Sequence, residues 1–223
     1  MGLVFDSFDL YLGAFRLTIA LFLVSGVASL VLGTLLAAMR VGPISVLSKM
    51  ATTYITIVRN TPLLVIFIFV AIALPELGWT FRSVETFGIN AFFFRGCLAL
   101  SLYTCTFVAE AIRSGVNAVP LGQAEAARAI GLPFGGTMTQ VILPQAFRAT
   151  VPPLASVMIA LLKNTSVAAV FGLFEATARM KYYQNKVADD VPVFLIFALG
   201  YVLLVEIISF GANRLERRWR VAR

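Results

Sequence analysis

Of the 223 residues, 60% are hydrophobic and only 13% charged, with a mean hydropathy of +0.91. An ordinary soluble domain carries roughly 25% charged residues, so the composition excludes one and predicts an integral membrane protein. The net charge of +7 with no histidine fits Lys and Arg retained on the cytoplasmic side rather than nucleic-acid binding, and it excludes a histidine-based metal site or proton shuttle.

In chain order, the N-terminus carries Asp6 and Asp9 where a cleavable signal peptide has a basic segment, so no such signal is legible. A helix crossing a bilayer core of about 30 Å needs about 20 apolar residues. Five stretches meet that need. Residues 17–39 are free of charge. Residues 50–74 are interrupted by Arg59-Asn60-Thr61-Pro62. Residues 92–112 carry Arg95 and Glu110, with Cys97 and Cys105 as inert buried thiols. Residues 151–175 contain Lys163-Asn164-Thr165, and residues 191–212 contain Glu206. No soluble domain fits between them and no internal repeat is visible, so residues 1–223 read as a single all-α transmembrane domain.

Lys and Arg near the span ends set the orientation. With the N-terminus outside, Arg40, Lys49, Arg113, Arg128, Arg148 and the cluster Arg214, Arg217, Arg218, Arg220 and Arg223 fall inside. Arg16, Arg82, Arg179, Lys181 and Lys186 fall outside, with Arg95 near a boundary. The expectation is N-out and C-in.

That orientation places the polar segment 119–148 in the cytoplasm. Pro120 precedes, and Gly131 follows, a run of helix formers and small residues at 121–130, which is a helix start and stop. Pro133 blocks continuation with the same geometry. A second short helix, about 134–141, is expected to end near Pro144 and to meet the first at an angle. Ala126 and Ala127 would leave a flat docking face, and Glu125 and Arg128 are spaced to pair.

Ionisable groups within a membrane cost at least about 2.5–3.5 kcal/mol, so they face a cavity or a partner. Arg59, Glu110 and Lys163, in three spans, are therefore substrate-pathway candidates. Pro62 frees a carbonyl upstream and should loosen its helix at Asn60-Thr61, a way to build polar sites at membrane depth. Tyr103, Thr106 and Glu110 share a helical face, and Lys163, Asn164 and Thr165 supply donors in a row. The alternatives are structural: Arg59 and Lys163 paired with Glu110 or with backbone carbonyls, Glu110 paired with Arg113 at i,i+3, and Glu206 as an interface or snorkelling residue. Ser29, Gly33 and Ala37 form a small-residue stripe expected to pack helix on helix.

The segment Glu125-Ala126-Ala127, with Gly131 and then Leu143-Pro144, resembles the ATPase-docking loop of ATP-binding cassette (ABC) importer permeases; Val141 stands where that family usually has Ile. Gly122 and Arg128 lie within the same matching stretch. Arg59-Asn60-Thr61-Pro62-Leu63-Leu64 is similar to an Arg-Gly-Thr-Pro-Leu-Leu segment of the polar amino-acid branch, with Asn60 for Gly. Leu162-Lys163-Asn164-Thr165-Ser166 resembles its Lys-Asp-Thr/Ser-Ser motif. The resemblance covers about residues 14–212 and leans toward glutamate and glutamine permeases. It implies a type I importer permease fold in a bacterial cytoplasmic membrane. It also implies docking of an ABC ATPase dimer that holds ATP and Mg, a second permease subunit, identical or homologous, and an external substrate-binding protein. No phosphate loop Gly-x-x-x-x-Gly-Lys-Ser/Thr is present, so this chain is expected to be no enzyme and to hold neither cofactor nor metal. Cationic amino-acid permeases of this kind tend to carry an acid where Asn164 stands. With Arg59 and Lys163 nearby, glutamate or glutamine is the expected cargo. Another polar amino acid, an ion-coupled transporter using Glu110 and Glu206, or a non-transporting scaffold that recruits an ATPase, are the alternatives.

Overall fold

A computed structural model describes residues 8–80, 90–186 and 191–219. Asp6, Arg82, Arg220 and Arg223, which enter the charge readings, lie outside the described residues. All regular structure among the described residues is helical.

Helix α1 (Phe8–Val41) is 34 residues long and lacks proline. Its small-residue stripe is buried at Ser29 and Ala37. A Cβ at Gly33 would come within 2.5–2.7 Å of Val108 and the Cys105 carbonyl. Gly33 thus lets α1 press backbone to backbone on α4 (Ala91–Asn117), the most buried span. The opposite face of α1 exposes Leu23, Val27, Val31 and Leu35, as lipid or a neighbouring chain allows.

The stretch expected as one loosened span is sharply bent. Helix α2 (Ser45–Arg59) and helix α3 (Leu63–Glu76) meet at 103°. Pro62 causes the break: it has no N–H to donate and disfavours helical geometry at Thr61. Asn60 N–H and Thr61 N–H close α2 on the Thr56 and Val58 carbonyls at 3.2 Å. Pro62, in extended geometry at ψ 137°, then starts α3. A main core joins Leu21 of α1, Phe67 and Val70 of α3 and Leu100 of α4 to Leu161 and Leu173 further along.

Helix α5 (Leu121–Ala129) begins after Pro120 and stops at Gly131, as the sequence indicates. Gly131 adopts φ +87°, which favours glycine. Its N–H bonds the Arg128 carbonyl at 2.9 Å and Leu132 N–H bonds the Ala127 carbonyl at 3.1 Å. That paired closure caps the helix carbonyls.

The second short helix does not stop near Pro144. Residues Phe134–Phe171, helix α6, form one apolar helical run of 38 residues. A widened π-type turn at Thr137–Ile142 precedes Pro144, which sits in the first turn of the α-helical part. A proline there needs no helical N–H bond, so the run passes through it. Pro152 and Pro153 lie further along the same run. Its last seven residues, Thr165–Phe171, tighten to 3-10 geometry and end at Gly172, φ +84°.

Helix α7 (Ala176–Gln184) and helix α8 (Val191–Trp219) complete the chain. Glu175 ties them to α1. Its buried carboxylate accepts hydrogen bonds from Thr177 N–H (2.9 Å), Ala178 N–H (3.1 Å), Tyr201 O–H (2.8 Å) and Thr18 O–H (3.3 Å). A helix start, a span and the first helix therefore share one fully hydrogen-bonded acid. By length and composition α1, α4, α6 and α8 each suffice to cross a membrane, and the bent α2–α3 pair makes the fifth crossing if it counts as one span.

Candidate functional site

Three features carry the candidate residues. The first is the surface of α5 and the start of α6. Gly122, Glu125, Ala126, Arg128 and Gly131 are exposed, as are Leu143 and Pro144. Ala127 is buried, so only Ala126 of the alanine pair presents a small outward face. Glu125 and Arg128 form no ion pair among the described residues; both side chains are left for something else. Leu121 and Ile130 are 82% and 80% exposed, and Phe134 is exposed beside them. Apolar side chains so exposed around charged ones mark a surface made to be covered. Sequence reading missed these three because they resemble ordinary helix flanks.

The second feature is a charge cluster centred on Glu110. Its carboxylate bonds the Arg113 guanidinium, one helical turn on, and the Arg40 guanidinium of α1 at 2.5 Å. Arg59 of α2 stands at 3.8 Å. The three arginines leave two positive charges uncompensated. Arg40 was missed: at the end of an apolar run it reads as a positive-inside marker, and nothing local signals that Glu110, 70 positions on, receives it. Arg59 is the least committed of the three. Its side chain is 40% exposed, and its guanidinium lies over the Phe107 ring at 5.2 Å from the centroid, a favourable cation–π position. Lys163 takes no part, so of the structural alternatives the pairing of Glu110 with Arg59 and Arg113 forms and that with Lys163 does not.

The third feature is a pair of cavities on either side of α6. One, of about 270 Å³, lies between α4 and α6 and is lined by Tyr103, Thr104, Phe107, Ser156 and Asn164 among others. Its wall contains no charged side chain among the described residues, and the Arg59 guanidinium lies over the ring of Phe107, which lines it. The other, of about 470 Å³, lies between α6, α7 and α8, with Lys163, Ser166, Thr177, Tyr201 and Glu206 in its lining. Lys163 and Asn164, neighbours in sequence, thus serve different cavities, because adjacent helical residues point about 100° apart.

Two candidates line neither cavity. Thr106 is fully buried and donates to the Tyr103 carbonyl at 2.7 Å. Thr165 is fully buried and donates to the Leu162 carbonyl at 2.6 Å. Short hydroxyls inside helices satisfy themselves on the preceding turn, so one shared helical face was too coarse a guide. Thr104, not Thr106, lines the α4–α6 cavity beside Tyr103. Asn60 is exposed at the α2–α3 break, and Thr61 donates to the Ile57 carbonyl at 2.8 Å. No cluster suited to a metal occurs among the described residues.

A multi-pass helical domain that presents one short polar helix, α5, at its surface has the form of a membrane component driven by a separate motor. Residues 29–221 match the model of the "Binding-protein-dependent transport system inner membrane component" family, and the chain belongs to it. It is the permease subunit of an ABC importer, lies in the inner membrane, and leaves ATP hydrolysis to another subunit. The "Glutamate transport system permease protein GluC" of Corynebacterium glutamicum is 43% identical over 214 residues, covering 94% of each chain. The "Probable glutamine ABC transporter permease protein GlnM" of Bacillus subtilis is 33% identical, covering 98% of this chain and 97% of its own. Among solved structures, "Crystal structure of an amino acid ABC transporter with histidines" superposes with a TM-score of 0.84 at 28% identity, covering 94% of each chain.

Proposed function

We propose that this permease carries glutamate or glutamine inward, and that the cargo passes the α4–α6 cavity. The observation that carries the reading is the cavity's uncharged wall, in which Tyr103, Thr104, Ser156 and Asn164 stand among the apolar Phe107, Val157, Ala160 and Leu161, with the Arg59 guanidinium over the Phe107 ring. Neutral donors and acceptors suit a zwitterionic backbone and an amide side chain, while the guanidinium suits a side-chain carboxylate. A cationic side chain would meet Arg59 with no acid in the wall to offset it. The names of the related permeases point the same way.

Force enters at the other end. An ABC ATPase dimer docks on the exposed α5 surface, with Glu125 and Arg128 offered to it and Leu121, Ile130 and Phe134 covered by it. Closure of that dimer on ATP displaces α5 and the start of α6, and rigid movement of the spans exchanges inward- and outward-facing states. A second permease chain, identical or homologous, completes the pathway about a two-fold axis. A substrate-binding protein outside delivers the cargo.

The test is uptake of labelled glutamate by proteoliposomes holding permease, ATPase and binding protein. Unlabelled glutamine is expected to compete and arginine to leave uptake unchanged. Strong inhibition by arginine with none by glutamine overturns the assignment.

A further inference from the structure

We propose that the C-terminal end of α8 binds an anionic phospholipid, with its phosphate between Arg214 and Arg217. Leu203, Ile207, Phe210, Arg214 and Arg217 follow alternating spacings of four and three, so they fall along one side of the helix. Leu203, Ile207 and Phe210 are 64%, 68% and 66% exposed, and both arginines are exposed. At the polar end Phe210, Asn213, Arg214 and Arg217 line a cavity of about 440 Å³. No acid lines it, and neither arginine has an ion-pair partner among the described residues. Glu216 sits on the far side of the helix, about 140° from the stripe at 100° per residue. Glu206 lies two turns earlier, away from the cavity lining.

A ligand matching this strip is apolar for about two turns and then abruptly anionic, which describes an acyl chain leading to a phosphate. Paired guanidiniums with an adjacent amide suit phosphate oxygens, and basic residues at a span end draw anionic headgroups. A second copy of the chain seated on this end about a two-fold axis would set arginine against arginine, which disfavours it. The ATPase has its own exposed surface on α5.

The purified permease–ATPase complex, stripped of lipid in detergent, is titrated with phosphatidylglycerol or with phosphatidylcholine of the same chains, and bound lipid is weighed by native mass spectrometry. Phosphatidylglycerol is expected to be retained at least about fivefold better. R214Q/R217Q is expected to lose about 25-fold in its retention, about fivefold per arginine, while R214K/R217K keeps the preference and certifies the fold. Equal retention of the two lipids overturns the proposal, as does undiminished phosphatidylglycerol on the glutamine variant. Displacement by inorganic phosphate at equal concentration would make the apolar stripe irrelevant and overturn a lipid site. Release of the ATPase from the glutamine variant with lipid still bound would reassign these arginines to subunit docking.

Discussion

Glu110 is held by charge from three helices, and the consequence of removing that charge can be stated. Glu110→Gln leaves Arg40, Arg59 and Arg113 facing one another without an acid. A fully buried pair loses about 3–5 kcal/mol when one partner goes; this cluster is partly solvated, so about 2 kcal/mol is expected. A fall in Tm of about 4–8 °C in detergent would register it. Asn164→Asp tests the cavity instead. An acid placed in a wall that has none should raise the KM for glutamate roughly tenfold, equivalent to about 1.4 kcal/mol, while glutamine uptake moves little. A parallel loss for both substrates would mean that Asn164 does not read the side chain. At this scale the sequence was only half legible. Intramembrane charge singled out Arg59 and Glu110, and Asn164 with Tyr103 proved to share a cavity. The partner Arg40 and the burial of Thr106 and Thr165 depend on which turn of which helix faces the interior, and that is decided by packing between distant segments.

Elements were more legible because their punctuation is local. Pro120 and Gly131 bracket α5 through their own backbone constraints, and Pro62 breaks the second span for the same reason. Pro144 was misleading: a proline stops a helix only when its ring meets an existing turn, and here the π-type turn before it makes room. Glycine at a crossing makes a sharper prediction. A Cβ on Gly115 of α4 would overlap the Thr150 hydroxyl and approach the Ala146 carbonyl of α6 at 2.8 Å. Gly115→Ala should therefore cost about 1–3 kcal/mol of overpacking and lower Tm, whereas Gly122→Ala, with open space around it, should leave Tm unchanged. Equal Tm values for the two variants would mean that α4 and α6 can separate without loss.

For the whole molecule, composition and charge announced a multi-pass helical protein, and the exposed apolar faces of α1 and α8 are what a chain surrounded by lipid and a second permease requires. The proposed docking surface on α5 is where a single residue should govern the assembly. Glu125→Lys is expected to abolish both co-purification of the ATPase and ATP-dependent uptake, with Tm unchanged because Glu125 has no ion-pair partner among the described residues. Uptake persisting without a bound ATPase would contradict an ATP-driven importer. What composition leaves dark is how the spans fit: the 103° turn, the shared acid at Glu175 and the two cavities all arise from contacts between segments remote in sequence.

Helix α6 joins the proposed docking surface to the proposed cargo cavity, and α4 grips it near its middle, where Gly115 meets Thr150. At 1.5 Å per residue, about 24 Å of α6 lies between Phe134 and that grip, and about 21 Å lies between the grip and Asn164. These are the arms of a nearly balanced seesaw. Turned about that contact, it returns at Asn164 almost the full stroke delivered at Phe134, in the opposite direction. A tilt of five degrees moves each end by about 2 Å, on the scale of one hydrogen bond made or lost.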